Sequence, residues 1–195
     1  MTKQVLLLAT RNAHKLQEMA EMLPELELRP LPDQIPSPVE DGDSFAANAL
    51  IKARAAHAAT GEATIADDSG IEAADLDGAP GIYSARYAGE GASDETNLEK
   101  LLREVDAAGG GRRAAYVCAI ALVEADGTEH LFEGRCEGWL LREGRGEGGF
   151  GYDPAFVPDE TGDERTMAEL SPVEKHAVSH RGRAARLLSE HLAAG

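Results

Sequence analysis

The chain has 195 residues, 43% of them hydrophobic and 28% charged, a globular composition that suffices for one domain and excludes disorder along most of its length. Lys and Arg number 19 against 35 Asp and Glu, a net charge of −16, which speaks against a duplex nucleic-acid binder with its basic face. The longest apolar run, residues 116–123, falls far short of the ~18 residues that span a membrane.

The opening MTKQVLLLATRN is also too short in its apolar part for a signal peptide, whose core takes roughly 7–15 residues, so a cytoplasmic protein is expected. An anionic substrate would still need local cations: a few Lys or Arg, a helix N-terminus or a divalent metal. Cys118 and Cys136 match no metal spacing and read as reduced strand residues.

Residues 4–9 read as a buried strand. After Asn12, the stripe Leu16, Met19, Ala20, Leu23 has helical spacing, and Pro24 ends it. Residues 30–43, with four prolines, read as a loop. Ser44 caps a second helix that Gly61 closes. Residues 63–68 read as a short strand, with Ser69 and Gly70 as the turn after it. The stretch 75–92 looks irregular. Ser93 starts a helix with Leu98, Leu101, Leu102 and Val105 on one face. Gly109-Gly110-Gly111 is a candidate hinge or lobe boundary. Residues 114–124 and 128–142 form a hairpin about Asp126-Gly127. A glycine-rich loop, EGRGEGGFGYDP, follows. Ser171-Pro172-Val173-Glu174 is a capping box before a helical C-terminal segment. Early strand–helix units followed by a hairpin predict an α/β fold with a mixed sheet.

Four stretches could carry chemistry. Thr10, Arg11, Asn12, Ala13, His14 and Lys15 sit where a strand feeds a helix, so backbone N–H groups and the helix dipole favour phosphate there; a plain Asn cap is the bland alternative. Asp67 and Asp68 lie at the predicted strand's end. Strand alternation sends them to opposite faces, one for Mg²⁺ or water and one to tie down the turn. Gly144 to Gly149 fits a dinucleotide pattern, but Asp153-Pro154 stands where its helix should begin, which disfavours a nicotinamide enzyme. Phe150 and Tyr152 can instead stack on a base, with Asp153 reading its edge. Lys175 and Arg181, six apart, meet only if a helix breaks between them, and His180 with Arg181 offers donors to a carbonyl oxygen. The other histidines, His57, His130, His176 and His191 among them, show no ligand spacing.

Together these stretches resemble the inosine triphosphate pyrophosphatase family. The similarity rests on LATRNAHK (8–15), FAANALIKA (45–53), IADDSGIEAADLDGAPGIYSARYAG (65–89), GGFGYDPAFVP (148–158) and AELSPVEKHAVSHRGRA (168–184). The resemblance implies one pyrophosphatase domain over 1–195: a long mixed sheet flanked by helices, with two lobes and a nucleotide cleft between them. It implies hydrolysis of dITP, ITP and XTP to the monophosphate and pyrophosphate with Mg²⁺, by a homodimer that binds neither nucleic acid nor membrane. Thr10 to Lys15 would hold the phosphates, with Lys52 as a further cation. Asp68 would be the acid–base residue and a metal ligand, with Ser69 beside it and Glu40 as a second ligand. Phe150, Gly151, Tyr152, Asp153, Lys175, His180 and Arg181 would line the base pocket. The sequence departs from the family's pattern at Arg11, at Val39 in the acidic run Val39-Glu40-Asp41-Gly42, and at Ala47. A nucleotide-binding regulatory module without turnover is the competing expectation.

Overall fold

Strand β1 (Gln4–Leu8), helix α1 (Ala13–Met22) and strand β2 (Leu26–Pro30) form the first βαβ unit of the computed structural model, which describes residues 3–194. The helix α2 (Phe45–Thr60) follows, capped by Ser44 Oγ on the Ala47 N–H and closed by Gly61 at φ 70°. Strand β3 (Thr64–Ala73), helix α3 (Asp94–Ala108), and the strands β4 (Arg113–Val123) and β5 (Glu129–Leu140) continue the chain. A short strand β6 (Phe156–Pro158) precedes α4 (Pro172–Val178) and α5 (His180–Ala194).

The six strands form one mixed sheet in the order β2-β1-β3-β4-β5-β6, flanked by helices as the resemblance implies. Both β2 and β3 run parallel to β1, the arrangement that helical crossovers require, and β6 runs antiparallel to β5.

The chain forms two units, each with its own core. Unit 1 comprises residues 1–68, 118–133 and 183–195; unit 2 comprises 69–117 and 134–182. Leu8, Met19, Ile65, Ile120 and Leu188 are buried in the first. Ile71, Leu101, Tyr116, Tyr152 and Phe156 are buried in the second. The expected boundary near 109–111 is not where the chain changes unit. Those glycines lie inside unit 2, where Gly109, at φ 71°, caps the end of α3.

Two expectations about strands are corrected. β2 and β6 were not anticipated: the first is five residues on an edge and the second three, too short to show alternation. Ser69 and Gly70 do not turn the chain. They lie inside β3, which runs on to Ala73, so Asp67 and Asp68 stand in mid-strand. The glycine serves a close approach instead. A Cβ on Gly70 would stand 2.5 Å from the Gly81 carbonyl oxygen and nearer still to Ser84 Oγ. That hydroxyl donates to the Gly81 carbonyl at 2.6 Å and accepts from the Ile71 N–H at 2.9 Å, so it has no room to yield. Gly70→Ala is therefore expected to cost about 2–3 kcal/mol by overpacking. The denaturant midpoint checks it; a midpoint equal to wild type would show that this contact relaxes freely.

Candidate active site

Parallel pairing places the two aspartates. Leu8, the last residue of β1, pairs with Ile65, and β3 then runs on past the point where β1 turns toward α1. Asp67 and Asp68 thus extend beyond the carboxyl end of β1, where α/β sheets place their ligands. Mid-strand alternation sends the two carboxylates to different cations. Asp67, 1% exposed, takes the Lys15 ammonium at 3.0 Å. Asp68, 9% exposed, takes the Lys52 ammonium at 3.1 Å on Oδ1 and the Asn48 amide at 3.2 Å on Oδ2.

Helix α2 supplies both partners of Asp68 because Asn48 and Lys52 are one turn apart. Asn48 is itself fixed, since its Oδ1 accepts the Gly42 N–H at 2.9 Å. Lys52 also donates to Glu40 Oε2 at 3.0 Å, which draws the loop carboxylate to the same ammonium as Asp68. Three carboxylates here face two ammonium groups, one negative charge in excess. Burial pushes the Asp68 carboxyl above the ordinary carboxylate range, against the opposing pull of Lys52 and Lys15. Burial works to lower Lys52, but Asp68, Asp67 and Glu40 outweigh it and hold the ammonium above its ordinary value. A buried acid with a raised pKa beside a fixed cation is the pattern of an acid–base group.

The turn at residues 10–15 is more fully occupied than the sequence suggested. Asn12 caps α1, its Oδ1 accepting from the His14 and Lys15 N–H groups at 2.9 and 3.2 Å. Thr10 Oγ1 accepts from the Asn12 N–H at 3.2 Å. Arg11 donates to the Ile35 carbonyl and pairs with Asp33 at 3.6 Å, so it ties down the following loop. Ala13 and His14 are exposed at the start of α1.

In unit 2 the expected base-pocket residues form one connected set around Asp153. This carboxylate, 4% exposed, accepts the Phe150 N–H at 2.9 Å, the Tyr116 hydroxyl at 3.0 Å and the Lys175 ammonium at 2.8 Å. Burial, then the Asp153 charge, push the Tyr116 phenol well above its ordinary value, so it stays a donor. His180 stacks on Tyr116 with centroids 4.5 Å apart and planes 6° off parallel. Lys175 and Arg181 lie over the Phe150 ring, 5.1 and 5.7 Å from its centroid. Arg181, 2% exposed, donates to Ser69 Oγ at 2.8 Å. The break needed to bring Lys175 and Arg181 together is present, because α4 ends at Ser179 before α5 begins. Tyr152 does not fit a stacking role: it lies in the unit 2 core with its hydroxyl donating to the Ser84 carbonyl at 2.7 Å. Gly151, at φ 63°, donates its N–H to Asp94 at 2.8 Å.

Two residues of these clusters escaped the sequence reading. Asn48 occupies a buried stripe of α2 otherwise built from Phe45, Ala49, Ala53 and Ala56, and an amide on an apolar stripe was its signal. Tyr116 carried a similar signal, a hydroxyl inside a run of apolar strand residues.

Comparison with known proteins agrees with this architecture. The Ham1 family model matches residues 6–191. The dITP/XTP pyrophosphatase of Corynebacterium diphtheriae is 49% identical over 193 residues, 93% of each chain. That of Geobacter sulfurreducens is 49% identical over 96% of each. A HAM1 protein structure from Coxiella burnetii superposes with a TM-score of 0.89 at 42% identity, covering 98% of this chain and 100% of that one. A match this long, over a sheet of the same form, places the chain in the Ham1 family.

Proposed function

We propose that the chain hydrolyses non-standard purine nucleoside triphosphates (dITP, XTP and ITP) to the monophosphate and pyrophosphate. The observation that carries this is the convergence of Asp68 and Glu40 on Lys52, with Asn48 orienting Asp68 from its other side. A regulatory module would have no need of a buried, oriented carboxylate with a raised pKa. The curated relatives are named for this activity.

The carboxylate oxygens of Glu40 and Asp68 suit a hard divalent cation, Mg²⁺ in this proposal, and the excess negative charge favours one. When bound, such an ion neutralises phosphate charge in the transition state. Asp68 accepts the proton of the water that attacks the α-phosphorus, as the bond to the bridging oxygen breaks and pyrophosphate leaves. Asn48 keeps the accepting carboxylate in one orientation. Lys52 stabilises charge gathering on the leaving group, and Lys15 adds a second cation. In unit 2, Phe150 offers a ring face to a purine, and His180 and Arg181 offer donors suited to the O6 of hypoxanthine or xanthine. The same reading assigns a homodimer working in the cytoplasm; sedimentation velocity tests the dimer. Among the described residues, no helix is long and apolar enough to cross a membrane.

The test is a kcat/KM panel for dITP, XTP, ITP, GTP and ATP with Mg²⁺. Equal yields of pyrophosphate and monophosphate are expected, with 6-oxo purines lacking the 2-amino group favoured over ATP by about 10²-fold or more. Exhaustive chelation is expected to abolish turnover and Mg²⁺ to restore it. A thermal shift with dITP but no product would establish the regulatory module instead. Release of orthophosphate would place the cleavage at another bond.

A further inference from the structure

Two histidines without ligand spacing in the sequence converge on one carboxylate in unit 1. Glu124 follows β4 directly, and its N–H donates to the Thr128 carbonyl at 2.8 Å, so the hairpin turn fixes its position. His130 is the second residue of β5, and His191 lies in the last turn of α5. Nε2 of His130 is 3.0 Å, and Nε2 of His191 3.6 Å, from the same oxygen, Glu124 Oε1. The two rings are 4.2 Å apart between centroids and tilted by 47°. Phe132 flanks His191 at 5.4 Å. All three polar residues line an open cavity of about 490 Å³, with Leu6, Leu122 and Leu192 among its apolar walls.

We propose that Glu124, His130 and His191 form a binding site for one transition-metal ion of the zinc class, with the remaining coordination position open to water. Four-coordinate zinc holds nitrogen and oxygen ligands at about 2.0–2.2 Å, which sets neighbouring ligand atoms about 3.3 Å apart. The observed separations of 3.0 and 3.6 Å bracket that spacing, and the three ligand atoms lie within 4.8 Å of one another. At 3.6 Å the His191 separation is too long for a hydrogen bond but ordinary for two ligands of one ion. Two imidazoles and one carboxylate select a borderline-soft ion, in contrast to the all-oxygen set of Glu40 and Asp68. The three ligands come from three elements. A bound ion would join the tip of the β4–β5 hairpin to the last turn of α5. Its effect would therefore fall on the stability of unit 1 and not on turnover.

The experiment uses untagged, metal-free protein titrated with Zn²⁺ alone by calorimetry, with Co²⁺ as a spectroscopic stand-in. Wild type is expected to bind one ion at this site and to gain about 5–10 °C in Tm at Zn²⁺ a hundred times the dissociation constant. His130→Asn and His191→Asn are expected to weaken binding at least ~100-fold, since even a supporting residue of a metal site can be worth that much. Both side chains are about a third exposed, so these variants should fold; an unchanged metal-free Tm and unchanged hydrolysis with Mg²⁺ verify it. Asp68→Asn is expected to keep the site. Tight Zn²⁺ binding that survives in both histidine variants, or that disappears in Asp68→Asn, overturns the proposal. So does wild type that fails to bind Zn²⁺ at millimolar concentration.

Discussion

Asp68→Asn is expected to lower kcat by about 10²-fold or more while the protein stays folded, the scale of lost acid–base assistance. The replacement is isosteric and loses the charge that accepts a proton. Its stability should hold or rise, and the sign follows from the pKa. Burial raises the folded carboxyl above its unfolded value, so the acid favours the folded state most when protonated. That contribution is full below the unfolded pKa and lost as pH rises through the folded one, so at neutral pH the buried charge is a cost that Asn removes. Lys52 loses one partner but keeps Glu40 and the field of Asp67. The acidic limb of the kcat/KM profile adds a second reading. In Lys52→Gln it should move to higher pH, because the Lys52 cation pulls Asp68 down. Measuring kcat, Tm and that limb checks the assignment; near-wild-type turnover in Asp68→Asn would move the proton transfer to another group.

Asp153→Ala is expected to destabilise by about 3–5 kcal/mol, lowering Tm by roughly 6–20 °C. A single 4%-exposed carboxylate receives the Phe150 N–H, the Tyr116 hydroxyl and the Lys175 ammonium, and alanine removes the acceptor from all three. Deleting a buried acceptor costs more than the hydrogen bonds themselves because the donors have already left water. This is a different role from the base-edge reading that the sequence suggested. If Asp153 served only the base, Tm would be unchanged and only kcat/KM would fall. Scanning calorimetry of the ligand-free variant separates the two.

The local rules held where a residue's own chemistry set the structure. Ser44, Ser93 and Ser171 cap the helices they were expected to cap, Gly61 closes α2, and Asn12 makes the cap that was the alternative to a phosphate-binding role for its turn. They failed where a distant partner decided. Ser69-Gly70 has turn composition, yet β3 continues through it because Ser84 packs where a side chain would stand. Tyr152 was expected beside a base since it follows a glycine-rich loop, but Ser84 and the unit 2 core claim it. Strand period implied that Asp67 and Asp68 would serve separate sites, one of them tying down a turn. They do take different lysines, but no turn is there. Both carboxylates act in one charge cluster, the charge of Asp67 reaching Lys52 and that of Lys15 reaching Asp68. Their choice of Lys15 and Lys52 was not legible, because those lysines lie on two different helices. The cluster of Glu124, His130 and His191 was equally hidden, as its spacing exists only after the hairpin and α5 have come together.

The two cysteines give each core its own chemical reporter. Neither forms a disulfide; Cys118 is buried in the core of unit 1 and Cys136 in that of unit 2. A thiol reagent reaches such a sulfur only when the surrounding structure opens, so the alkylation rate of each position measures the opening free energy of one core. Peptide mass spectrometry resolves the two sites within a single sample of the unmodified chain. The natural sequence therefore allows the cooperativity between the halves of this protein to be measured without adding a probe: equal opening energies would mean that the cores unfold as one, and unequal ones that each can melt alone.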